Sequence, residues 1–355
     1  MRKIIILILN KIQIINFYTI FDLPFHKEGK VNLNKTVMNL FKYLFLLIVL
    51  LPISACKSSD KGDDEKKDYT AFVTLADPFI MLYDNLYYAY GTNSDVGIEV
   101  YTSNDLKEWA KAADLALHKD NSYGDRWFWA PEVYFVNDKF YMYYSADEHI
   151  CVATSDSPLG PFKQDDKKPM IENEKTIDNS LFIDDDGTAY LFFDRFNDGL
   201  NIWVAELEDD LTTLKMETLH KCINVSQDWE EVWPRVNEGA FVVKHNDLYY
   251  MTYSANSYES QYYGIGCATA TDIMGEWVKY SDNPLLQKPG NLVGVGHSAM
   301  FRDKNGHLKK VFHAHHDEQN IHPRKMFITN VEFKNIEGVD KLYIDDNYET
   351  PVLND

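Results

Sequence analysis

VNEGAFVVKHNDLYYMTYSA, residues 236–255, is the stretch whose reading decides the fold. It begins at an acid, Glu238, runs on as an apolar segment, breaks at the polar turn HND and resumes as an aromatic segment. Apolar and aromatic runs on either side of a short polar break read as two strands of a hairpin. The same grammar recurs along the chain. The aromatic strands are NLYYAYGT (85–92), KFYMYYSA (139–146), GTAYLFFD (187–194), DLYYMTYSA (247–255) and HLKKVFHAHH (307–316). They repeat about every 50 to 60 residues, a period that suits the blades of a propeller. A further strand follows each: GIEVYTSNDLKEW, ICVATSDSPLGPF, NIWVAELEDD, YYGIGCATATDIMGEW and RKMFITNVEF. Trp109 and Trp277 close two of these segments and are expected to pack between blades. No long stretch has a helical period. The five repeats predict an all-β chain, a five-bladed β-propeller forming a single domain over residues 71–355. A β-sandwich is the alternative architecture.

Composition agrees with an all-β chain. The 355 residues are 45% hydrophobic and 14% aromatic, with 23 Tyr and 20 Phe, enough for a sizeable core and rich in strand formers. The formal net charge of −20 repels phosphate backbones and argues against a nucleic-acid partner; otherwise it serves solubility. No Gly-rich phosphate loop and no Cys cluster with zinc spacing is present. Of the four Cys, Cys151, Cys222 and Cys267 lie in strand-like or apolar runs and read as buried thiols.

Cys56 reads differently. Residues 38–56, MNLFKYLFLLIVLLPISAC, resemble a bacterial lipoprotein signal peptide in which the chain is cut before the Cys and the Cys is lipidated. A membrane-spanning anchor is the alternative, for which the apolar run is short. Residues 57–70 are then an acidic, disordered tether. Its charged start resembles the surface-export signal of Bacteroidetes-type lipoproteins, so the expected location is the bacterial outer membrane or cell surface. Residues 1–37 carry a second apolar stretch and read as an upstream extension, with translation starting at Met38.

Three carboxylates stand out. LADPFIMLYDNLYYAY places Asp77, TIDNSLFIDDDGTAYLFF places Asp178, and VNEGAFVVKHNDLYYMTY places Glu238. Each lies about ten residues ahead of an aromatic strand, at one phase of the repeat. A lone Asp before a strand is a turn or cap residue. Three at one phase of a radial fold converge on the central funnel. Acid–base cleavage of a glycosidic bond needs one protonated carboxyl for the leaving oxygen and one ionised carboxylate to activate water. A third can raise the acid's pKa by repulsion.

These segments, together with WAPEV and GHS, resemble glycoside hydrolase family 43 over roughly residues 71–330. The resemblance implies Asp77 as general base, Asp178 as the residue that tunes and orients the acid, and Glu238 as general acid. It implies inversion, with base and acid about 6.5–9.5 Å apart. It further implies substrate contacts for Trp129, His297 and Arg324. Glu132 is expected to be structural support. Some members hold a calcium ion near the His matching His297, so a structural calcium is expected there at most, with no cofactor required for the chemistry. His313, His315, His316 and His322 lack the spacing and partners of a catalytic metal site. The implied substrate is an oligo- or polysaccharide carrying pentoses. The reading leans to an α-L-arabinofuranosidase, because many xylosidases of the family add a C-terminal β-sandwich for which residue 355 leaves no room. Alternatives are a β-xylosidase, another five-bladed glycosidase and a catalytically silent glycan-binding lipoprotein. The membrane is reached through Cys56, and a monomer is expected.

Overall fold

The computed structural model describes residues 71–232 and 235–354. The upstream extension, the signal-type segment with Cys56, and the tether lie outside the described residues.

Strands β1 (Ala76–Tyr83), β2 (Leu86–Ser94), β3 (Gly97–Ser103) and β4 (Glu108–Lys111) form the first antiparallel sheet, with β5 (Leu117–His118) paired to β3. The second sheet holds β6 (Trp129–Val136), β7 (Lys139–Ala146) and β8 (His149–Ser155). The third holds β9 (Thr176–Ile183), β10 (Ala189–Phe196), β11 (Leu200–Glu206) and β12 (His220–Ile223). The fourth holds β13 (Asn237–His245), β14 (Leu248–Ala255), β15 (Gly264–Ala270) and β16 (Val278–Lys279). The fifth holds β17 (Gly296–Arg302), β18 (Leu308–Ala314), β19 (Lys325–Ile336) and β20 (Val339–Glu349). First strands pack in a ring: β1 on β6, β6 on β9, β9 on β13, β13 on β17, and β17 back on β1. The protein is a five-bladed β-propeller.

Local chemistry explains the blades. The β1–β2 turn is Asp84–Asn85, the β6–β7 turn Asn137–Asp138 and the β7–β8 turn Asp147–Glu148, all with positive φ at both residues. That is the backbone of a two-residue type I′ hairpin, whose twist matches the strands it joins. The aromatic second strands are buried on both faces, because each blade is covered by its neighbours. Trp277 of the fourth blade meets Phe192 of the third edge-on at 5.9 Å, as expected for a Trp between blades. Trp109 is fully buried.

The ring is closed by both ends of the described chain. β21 (Val352–Leu353) pairs in parallel with β4 of the first blade, after β20 has completed the fifth. The Val73 N–H donates to Pro351 O, and the Met326 N–H of β19 donates to Val73 O. Backbone bonds thus tie the first blade to the fifth, which removes an open sheet edge. The outermost strands β12 and β16 have four and two residues, too short for periodicity to reveal.

Candidate active site

Each inner strand carries a bulge at the same place. The register jumps between Ala76 and Phe79, Trp129 and Glu132, Ile177 and Ser180, Glu238 and Phe241, and Gly296 and Ala299. The first extra residue in each is left-handed: Asp77 (φ 48°), Ala130 (45°), Asp178 (58°), Gly239 (63°) and His297 (39°). Bulges re-aim side chains and gather at functional rims. The register also corrects the sequence reading. Asp77 and Asp178 are bulge residues, but Glu238 sits one residue before its bulge, and Gly239 takes the left-handed position. A Cβ there would stand 3.2 Å from the His297 ring, so glycine meets both the φ and the space.

A ring of hydrogen bonds joins the bulges. Each bulge N–H points to a side chain at the end of the second strand in the preceding blade. Ala130 N–H donates to Thr92 Oγ1 (2.9 Å) and Asp178 N–H to Ser145 Oγ (3.0 Å). Gly239 N–H donates to Asp194 Oδ2 (3.0 Å), His297 N–H to Ser254 Oγ (2.7 Å) and Asp77 N–H to His313 Nδ1 (3.1 Å). These five bonds set the bulges, and so the acids, in register around the axis.

Asp77 is buried, which alone would raise its pKa. Its neighbours reverse that. Arg324 Nη1 donates to Oδ1 at 2.8 Å, and Thr92 Oγ1 donates to Oδ2 at 2.6 Å. His313 and His297 stand 3.3 and 3.7 Å from Oδ1. The carboxyl is held well below the ordinary range and is ionised at neutral pH. His313 has the Asp77 N–H at one nitrogen and Arg324 at the other; burial and that guanidinium push its pKa to about 3, so it stays neutral.

Glu238 has opposite surroundings. Burial pushes its pKa to about 7, and the Asp77 charge adds to the rise. One hydrogen bond, from Tyr263 Oη at 2.5 Å, opposes it, together with the field of Arg324. Asp178 is driven well above its usual value by burial and then by the Glu238 and Asp77 charges. Around one funnel, therefore, one carboxyl is held toward the anion, while burial and like charges push the other two toward the protonated form.

Asp77, Asp178, Glu238, Trp129, His297 and Arg324 all line one cavity of about 640 Å³. Sequence reasoning missed further members. Trp127 and Trp129 stack at 5.6 Å with 19° between planes, and the Arg126 guanidinium lies 3.9 Å from the Trp127 ring. Tyr258 lies under Arg324 at 4.6 Å and lines the cavity with His322. His313 was visible only as one of four close His; nothing local distinguished it. Glu132 is half-buried beside Tyr134 and Ser180, with its pKa raised to about 8 by desolvation. Cys151, Cys222 and Cys267 are free.

The side chains around His297 offer calcium few oxygen ligands. That ion takes about six to eight oxygen ligands. Here the ring Nδ1 faces Asp77 and Asp178 at 3.7 and 3.8 Å, and the Arg324 cation already occupies Asp77. Among the described residues no group of three or more His, Cys, Asp or Glu is arranged to hold a metal ion.

Comparison with known proteins matches the model of "Glycosyl hydrolases family 43" over residues 72–336. A solved structure described as an endo-1,4-beta-xylanase from Bacteroides thetaiotaomicron is 48% identical and superposes with a TM-score of 0.77, covering 81% of this chain and 99% of that one. A beta-D-galactofuranosidase of Aspergillus niger is 25% identical over 67% of this chain and 73% of its own. An arabinan endo-1,5-alpha-L-arabinosidase B of Emericella nidulans is 27% identical over 50% of this chain. The chain spans 56% of that relative's length.

Proposed function

The chain belongs to glycosyl hydrolase family 43 and is a glycosidase, and from that premise we propose an inverting enzyme that releases pentoses from plant polysaccharide side chains, foremost an α-L-arabinofuranosidase. The observation that carries the reading is the opposed surroundings of Asp77 and Glu238 in one funnel, a guanidinium and a hydroxyl donor on the first and a single phenol on the second. Asp77 takes a proton from water as the water oxygen bonds to the anomeric carbon. The glycosidic C–O bond breaks on the other side, and Glu238 gives its proton to the leaving oxygen. Asp178 orients these groups, and its carboxyl sits 3.8 Å from the His297 ring that also faces Asp77. Arg324 holds Asp77 ionised and can bond sugar hydroxyls, and Trp129 offers a face for the sugar ring. The chemistry of this family needs no cofactor.

Two relatives bear names of enzymes that act on galactofuranosyl or L-arabinosyl linkages. That supports an arabinofuranoside over a pyranoside. The likeness to a structure described as a xylanase supports xylan as the second reading. The experiment is turnover of p-nitrophenyl α-L-arabinofuranoside and p-nitrophenyl β-D-xyloside, with NMR of the first-formed product. Arabinose released with inversion is expected. Faster release of xylose selects the second reading, and retention excludes the mechanism. If wild type and Glu238→Gln are equally inert on a broad glycan panel, the reading as a catalytically silent glycan-binding protein gains. Lipidation at Cys56 belongs to the same proposal. Mass spectrometry of the native N-terminus should find a lipid-modified Cys56; an unmodified Cys56 would sink it, and peptides from residues 11–35 would rule out a start at Met38.

A further inference from the structure

Three of the five acceptors in the ring of bulge hydrogen bonds are hydroxyls, whereas the fifth blade supplies an imidazole and the third a carboxyl. Thr92, Ser145, Asp194, Ser254 and His313 hold equivalent positions, paired with Ala76, Trp129, Ile177, Glu238 and Gly296. Thr92 shows what the position does in a blade whose bulge residue is an acid. It accepts the Ala130 N–H of the next blade and donates its own hydroxyl proton to Asp77 Oδ2, the bulge carboxyl of its own blade. The third blade repeats the geometry with a carboxyl in place of the hydroxyl. Asp194 accepts the Gly239 N–H of the next blade on Oδ2, and its side chain lies within hydrogen-bonding reach of Asp178, the bulge carboxyl of its own blade.

We propose that Asp194 is a neutral carboxylic acid that donates its proton to Asp178, and so acts as the fourth carboxyl of the site, a positioning residue that does for Asp178 what Thr92 does for Asp77. Two carboxyl groups can hydrogen-bond only with a proton between them. Asp194 is fully buried, and its Oδ1 receives no hydrogen bond. A buried anion with a bare oxygen is costly, whereas a carboxylic acid can use that face. The titratable groups facing it are Asp178 from β9, Glu238 from β13 and the Cys222 thiol from β12, none of them a cation. Burial and the Asp178 and Glu238 charges push Asp194 upward in the same sense. The Thr92 proton is permanent, while the Asp194 proton can be lost. The two acids are thus held by donors of different kinds.

The activity tests of this proposal rest on the glycosidase reading; an infrared test does not. Asp194→Asn keeps a donor for Asp178 and an acceptor for Gly239, so kcat stays within a few-fold of wild type. Asp194→Ala keeps neither, and kcat falls on the order of 100-fold with little change in KM. The alkaline limb of kcat/KM, set by Glu238, stays in place in Asp194→Asn. If Asp194 were an anion, its removal would move that limb down by on the order of one pH unit. Infrared spectra of the full chain at neutral pH should contain a protonated-carboxyl band that Asp194→Asn removes. Loss of that band decides the protonation even if no sugar is turned over, so the two readings can fail separately. An unchanged infrared spectrum, a downshifted limb, or a folded Asp194→Asn as slow as Asp194→Ala each overturns the proposal.

Discussion

The first and fourth blades place a carboxyl at the same funnel and treat it in opposite ways. In the first blade Asp77 is met by a guanidinium, a hydroxyl proton and two imidazoles. In the fourth, Glu238 is met by one phenol, with burial as the dominant influence. Asp77 is buried and Glu238 half-buried, so burial would raise both and does not by itself separate the proposed base from the proposed acid. The number and charge of the donors facing each oxygen does. Two carboxyls lining one cavity can therefore be given opposite tendencies by dressing only one of them.

The largest test of that contrast is to remove each partner. Asp77→Asn and Glu238→Gln should each lower kcat by on the order of 10³-fold or more while sugar binding, measured by calorimetry, persists. Turnover near wild type in either variant would dissolve the pair. Next is the dressing itself. Arg324→Met removes the cation 2.8 Å from Asp77, which should lower kcat/KM by on the order of 100-fold. It also raises both pKa values, because Arg324 lowers Asp77 and Glu238 alike. The whole pH–rate bell should then move to higher pH, its acid limb by more. In wild type the alkaline limb should fall through about pH 7, since Glu238 loses its proton there.

A smaller effect sharpens the other side. The Tyr263 hydrogen bond favours ionised Glu238, so Tyr263→Phe should shift the alkaline limb upward and change kcat by less than about tenfold. A downward shift would mean that Tyr263 serves the protonated form. The smallest effect concerns the backbone that separates the two blades. Gly239→Ala forces a side chain into a left-handed bulge against His297, and denaturant unfolding should read a loss of about 1–2 kcal/mol.

Much of the fold was legible because each blade repeats a hairpin signature that is local in sequence. The acids were legible for the same reason, each lying just ahead of a strand. Their differences were not. A one-residue offset between Asp178 and Glu238 relative to their bulges cannot be seen without the pairing partner of each residue. The positions of Thr92, Ser145, Asp194 and Ser254 were within reach, since each is the polar residue near the end of an aromatic strand, whereas His313 is one of several His at the end of its own. Their common role depends on the next blade, which periodicity does not describe.

By itself the sequence determined that there are five repeats, that three acids head their inner strands, and that the chain is built for a radial sheet. These follow from patterns spanning a dozen residues, in which side-chain type and turn chemistry dictate the local backbone. Only the tertiary structure decided what faces each acid. Arg324 lies 247 positions from Asp77 and His313 lies 236. A carboxyl's proton is set by whatever stands within a few ångströms of it, and in a closed ring those neighbours come from the far end of the chain.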